Sequence, residues 1–144
     1  MPSGVSDFGS ETWLSALFGV TPLPTGYFIA LCNDEPGAAM DGTLLGDLEP
    51  DDTAYARQPY GTGGTNWDSN GPYLTNLVDV AFPTPTLDWG YLTHFAICDS
   101  LTGGQLYAWG EMFNPQYVNA GIGMEIAPGG LILGLHALDN TIAA

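Results

Sequence analysis

The side chains able to do chemistry here are few. The only guanidinium in the chain is Arg57, and there is no Lys. Arg57 alone can make a bidentate fork with a carboxylate, which suits a structural salt bridge or a subunit contact. It has no neighbouring nucleophile or phosphate-binding loop that would point to catalysis. Two imidazoles, His94 and His136, stand in apolar, strand-like surroundings and are expected to be strand-face histidines with a hydrogen-bonded ring nitrogen. Their spacing does not match a zinc signature. Cys32 and Cys98 lie in apolar runs, Tyr27 to Cys32 and His94 to Cys98, and read as buried free thiols rather than as a bridge or a metal pair.

Carboxylates are plentiful. Seven of the 16 acidic residues fall between Asn33 and Asp52: Asp34, Glu35, Asp41, Asp47, Glu49, Asp51 and Asp52. Oxygen-rich loops suit calcium, but this one lacks the Asp-x-Asp-x-Asp-Gly order of an EF-hand and is expected to be a solvated loop. Among so many acids, chance pairs are expected, and none is marked out as a glycosidase pair. No metal, cofactor or catalytic residue is therefore assigned, and the chain reads as a non-enzyme. Of the aromatic residues, Trp67 and Trp109 are the candidates for stacking on a sugar, Trp67 because its surroundings are polar; packing in a core or an interface is the plainer expectation for both.

The elements that hold these groups are mainly strands. The 144 residues, 45% of them hydrophobic, suffice for one domain with its own core, taken as residues 1–144. Twenty Gly and 11 Pro imply many turns. The one expected helix covers about residues 10–18, with Ser10 as cap, Glu11 in the first turn, an apolar stripe of Trp13, Leu14, Leu17 and Phe18, and Gly19 as stop. Extended runs are expected at Gly26 to Cys32, Ala54 to Tyr60, Leu74 to Phe82, Tyr91 to Cys98, Gln105 to Met112, Met124 to Ala127 and Leu131 to Leu138. The runs on either side of Ser100 to Gly104 form a hairpin. This pattern predicts a single-domain antiparallel β-sandwich or jelly-roll-like barrel with one short N-terminal helix. Trp89 and the strand Tyr91 to Cys98 belong in its core. Strict alternation would put Leu92, His94, Ala96 and Cys98 on one face and Tyr91, Thr93, Phe95 and Ile97 on the other, both covered.

A formal charge of −15 opposes binding to phosphate backbones and to anionic lipid. No apolar run is long enough to span a bilayer, and the N-terminus lacks the positive region of a signal peptide. Nucleic-acid and membrane partners are thus not expected.

The segment Asp88-Trp89-Gly90-Tyr91-Leu92-Thr93-His94, continuing through Asp99 and Thr102-Gly103-Gly104 to Trp109-Gly110, resembles a family of small tailed-phage proteins labelled tail-fibre or minor tail proteins, common in phages of actinobacteria. The N-terminal helix, Tyr27 to Pro36, Tyr55-Ala56-Arg57, Asn76, Phe82-Pro83 and Gly121 to Leu135 match the family's other pieces in order, so the resemblance spans about residues 10–138. It implies a structural virion protein, associated with the tail, assembled in the host cytoplasm and working with other virion proteins as a homo-oligomer. A head decoration protein and a host-glycan-binding module are the alternatives. Cytoplasmic assembly also disfavours a Cys32–Cys98 disulfide. The self-contact is expected to use the helix stripe, Trp13, Leu14, Leu17 and Phe18, or the turn from Phe113 to Tyr117, with the acidic loop at the rim.

Overall fold

A computed structural model describes residues 3–134 and 141–142. Strand β1 (Gly4–Val5) leads into helix α1 (Asp7–Leu17) and strand β2 (Gly26–Cys32). One turn of helix, α2 (Gly42–Leu45), interrupts the acidic segment before β3 (Gln58–Gly61), β4 (Trp67–Asn70), β5 (Tyr73–Asn76) and β6 (Val80–Ala81). The long strands β7 (Gly90–Cys98) and β8 (Leu106–Val118) form the expected hairpin, followed by β9 (Glu125–Ile126), β10 (Leu131–Gly134) and β11 (Thr141–Ile142).

The main sheet runs β3-β2-β7-β8-β11-β10-β5-β4, and β1 adds to the β8 edge; β6 and β9 form a separate ribbon. Among the described pairs only β11–β8 is parallel. The sheet curls until its two end strands face each other. Tyr60 of β3 meets Trp67 of β4 edge to face at 4.9 Å, and Trp67 Nε1 donates to Gly61 O at 2.9 Å. This is the mainly antiparallel, barrel-like β architecture expected, with its short N-terminal helix.

The β7–β8 hairpin is covered on both faces from Phe95 to Cys98, though not in strict alternation, whereas Tyr91, expected in the core, is 59% exposed. Phe95 and Ile97 face the larger core with Ile29, Leu31 and Met112, whereas Ala96 and Cys98 face a second cluster with Ala30, Cys32 and Leu45. Leu92, expected beside His94 and Ala96, instead joins Phe95 in the larger core. Leu92 pairs with Gln116 but His94 with Glu111, so β8 loops out between these pairs, and this irregularity reverses the parity of the first half of β7. A second shift, between Ile97 and Cys98, lets Tyr107 turn into the larger core.

Several other boundaries differ from expectation. Helix α1 begins at Asp7, because Ser6 rather than Ser10 is its cap: Ser6 Oγ accepts from Gly9 N at 2.9 Å and donates to Leu106 O. That bond ties the cap to β8, which a sequence-local reading of Ser10 misses. The run Leu74 to Phe82 is broken after Asn76, whose buried amide donates to Val78 O at 2.9 Å and Ala127 O at 3.1 Å and accepts from Leu131 N at 2.8 Å. Phe113 to Tyr117 is not a turn but part of β8, which runs through Pro115. His136, residues 135–138 of the last expected strand and the side chain of Phe113 lie outside the described residues.

The acidic segment is folded down rather than free in solvent. Its Leu45, Met40 and Leu48 pack on Ala30, Cys32, Ala96 and Cys98, small side chains that let a loop approach the sheet closely. Gly42 shows how close: a Cβ there would lie 2.0 Å from Gly103 O.

Candidate interaction surface

Two carboxylates of the acidic segment, Glu49 and Asp52, are committed to the fold. Glu49 takes Arg57 Nε at 3.1 Å on both oxygens and Nη2 at 2.6 Å on Oε1, and it accepts the Tyr55 hydroxyl at 2.6 Å. Arg57 spends its remaining donors on Ser100 O, Gly103 O and Gly42 O at 2.8–3.0 Å. Tyr55 and Arg57 alternate with Ala56 and reach the same carboxylate, which explains the Tyr-x-Arg spacing. Burial pushes the Tyr55 phenol's pKa up, and the Glu49 charge adds to it. Burial is the largest single influence and pulls against the Arg57 charge, but the bond to Glu49 and the nearby acidic groups together outweigh it and raise the pKa, so the guanidinium stays ionised.

Asp52 forms the second anchor. It accepts from Thr86 Oγ1 at 2.5 Å, Thr86 N at 2.8 Å, Trp89 Nε1 at 2.9 Å, Ala54 N at 3.0 Å and Leu87 N at 3.1 Å. The Thr86 hydroxyl is the largest cause holding its carboxyl far below the ordinary range; partial burial opposes it and the other donors add to it. Neither carboxylate stands out in the sequence: Glu49 is one of seven acids in its stretch, and most of the donors to Asp52 come from a segment far along the chain that only the fold brings near.

His94 is half-buried on the second face, with Nδ1 2.8 Å from Thr93 Oγ1. Burial lowers its pKa, although Glu35, Glu111 and Asp34 pull the other way. Cys32 and Cys98 are buried free thiols. Burial pushes the Cys98 thiol up to about 12, and Cys32 in the same direction. Trp109 is 6% exposed, and its ring lies so close to Gly4 that a Cβ there would come within 2.5 Å of it. It offers no open face to a sugar. Trp67 is half-buried and keeps part of its ring on the surface.

The stripe on α1 divides. Trp13 docks on the molecule's own sheet, stacked on Tyr107 at 5.5 Å with Nε1 donating to Tyr27 OH at 3.0 Å. Leu14, Leu17 and Phe18 point outward, Leu17 at 68% and Phe18 at 79% exposed, and Val20 and Leu23 beyond them are equally open. Tyr117 is exposed at the far end of the hairpin, edge to face with Tyr91 at 6.0 Å.

Beside the outward stripe an open groove of about 880 Å³ runs between α1 and the β4–β5 end of the sheet. Trp13, Leu23, Tyr27, Trp67, Leu74 and Leu133 are among its walls, and none of its lining residues is charged. The chain itself carries no charged residue from Thr12 to Asn33. On a protein of net charge −15, stripe and groove together make a neutral, apolar window.

The family described as Podophage GP4 fiber I protein gp80 matches residues 4–134. No curated protein matches the chain. The matched stretch contains every internal anchor described above, from the cap at Ser6 to Asn76 and Leu131. A match over nearly the whole chain makes this protein a member of that phage fibre family, and so a structural, tail-associated component of the virion.

Proposed function

We propose that the chain is a non-enzymatic building block of the phage tail that assembles with copies of itself and with other virion proteins, and that its self-contact uses the apolar window at the end of α1. The exposed row of Leu14, Leu17, Phe18 and Val20 carries this reading. Exposed apolar patches of this kind mark interfaces. Acidic copies repel, yet salt screens charges beyond about 10 Å, and burying roughly 800 Å² per partner offsets the remainder. The only Arg is 3% exposed and already paired, and there is no Lys. Ion pairs with other virion proteins must therefore draw their cations from the partner. Glu49 and Asp52, saturated by structural donors, support a non-catalytic role.

Sedimentation of the purified protein across a salt series tests the reading. Association that strengthens with salt is expected, and a strict monomer at high salt would sink it. Cryo-microscopy of virions tests the address: copies confined to the tail are expected, whereas copies spread over the shell would favour the head decoration alternative. A host-glycan module is the second reading, favoured by the open part of Trp67 on the groove wall. Binding on a glycan array by a protein that stays monomeric would select it.

A further inference from the structure

We infer that the groove between α1 and the β4–β5 end receives the Leu17–Phe18 corner of a second copy. This rests on the self-assembly reading above and specifies its geometry.

Projection and recess adjoin on one molecule. Trp13 and Leu23 line the groove, and the exposed Leu14, Leu17, Phe18 and Val20 lie between them in the chain. A surface that carries both a protruding and a concave half is self-complementary, because the corner of one copy can seat in the groove of another.

The corner is preorganised. Ser6 ties the helix start to β8, and Gly9 lies so close to the sheet that a Cβ would come within 2.1 Å of Tyr107 O. At the other end Gly19, at φ +74°, closes the helix with Gly19 N donating to Ala16 O at 3.1 Å and Val20 N to Ser15 O at 2.8 Å. These are the two bonds of a Schellman stop, which fixes Phe18 and Val20 instead of leaving a frayed end. An apolar projection held in place loses little conformational entropy on docking.

Charge selects the occupant. A basic partner would be drawn to the carboxylate-bearing faces, not to a region without them. A second acidic copy is repelled elsewhere and can approach closely only where both surfaces are neutral. Groove lining and projecting row are both uncharged, as that occupant requires.

Paired single substitutions test the geometry. Phe18→Cys places a thiol on the corner, and Ser69→Cys places one on the exposed groove wall of β4. The native thiols are buried and serve as an unreactive background. The two variants, one carrying a size tag, are mixed under mild oxidation and resolved on a non-reducing gel. The expected result is a disulfide-linked pair holding one copy of each, with far less product from either variant alone. Leu17→Cys, the adjacent reporter, should link to Ser69→Cys in the same way. Sedimentation of the wild type as an oligomer without mixed cross-links from either reporter would overturn the groove docking and leave self-assembly standing. Self-linking of Phe18→Cys as the main product would overturn it in favour of helix-to-helix packing. A wild type that is monomeric at high salt would overturn both readings.

Discussion

Arg57 and Glu49, eight positions apart, meet as a buried bidentate pair with Nη2 2.6 Å from Oε1. Arg57 Nη2 also donates to Gly42 O in the acidic segment, and Nη1 to two carbonyls of the Ser100 to Gly104 turn. The only Lys or Arg of the chain thus fastens three segments that share no strand pairing.

Removing it should be costly. Arg57→Ala leaves Glu49 buried without its cation, for which a loss of about 3–5 kcal/mol is expected in urea unfolding. Arg57→Lys should recover little, because an ammonium has neither the donors nor the planar fork to serve Glu49 and three carbonyls together. Lys restoring wild-type stability would show that charge alone matters at this position.

Asp52 makes stability sensitive to acid. Its folded pKa lies well below the ordinary 3.8, first through the Thr86 hydroxyl. Folding therefore favours the ionised form. The contribution is complete above about pH 4 and is lost as pH falls from there toward the depressed folded value. Asp52→Asn should lower stability at neutral pH and flatten the decline below pH 4. An unchanged acid limb in denaturation curves would remove Asp52 from this role.

The two thiols set an alkaline counterpart. Cys98 is raised from 9.0 to about 12, so its contribution is intact below pH 9 and lost as pH rises toward 12. In native protein at neutral pH both thiols should resist a thiol-specific reagent, and both should react once urea is added. Rapid labelling of the folded state would contradict their burial.

Gly9→Ala sets helix propensity against packing. Alanine gains about 1 kcal/mol within a helix. Here its Cβ would meet a backbone carbonyl of β8 at 2.1 Å, which neither element can relieve by a rotamer change. Net destabilisation of about 1–3 kcal/mol is expected. A raised Tm would show that α1 can shift on the sheet at no cost.

Phe18→Asp should weaken self-association about 30-fold or more, the scale of losing a central aromatic anchor, without lowering the monomer's unfolding midpoint appreciably. Its 79% exposure within one chain is the reason for the second half of that expectation. Sedimentation and urea titration on the same samples separate the two effects.

The sequence by itself determined the class of fold, the strands Gly26 to Cys32 and Tyr91 to Cys98, the hairpin turn at Ser100 to Gly104, the stop at Gly19 and the family. These follow from local chemistry: strand-forming runs, glycines at positive φ, and motifs held in order along the chain. Only the tertiary structure decided which side of each strand faces which core, because one irregularity between Leu92 and His94 reverses a parity that alternation cannot foresee. It also decided that Glu49 and Asp52 are internal anchors among many similar acids: the donors Thr86 and Trp89 reach Asp52 from far along the chain, and the Arg57 that serves Glu49 is held in place by carbonyls of the distant Ser100 to Gly104 turn. The division of the α1 stripe was equally invisible. Trp13 and Leu17 share one helical row, but the sheet ends beneath the first of them, and a helix has no local means of registering where its neighbour stops.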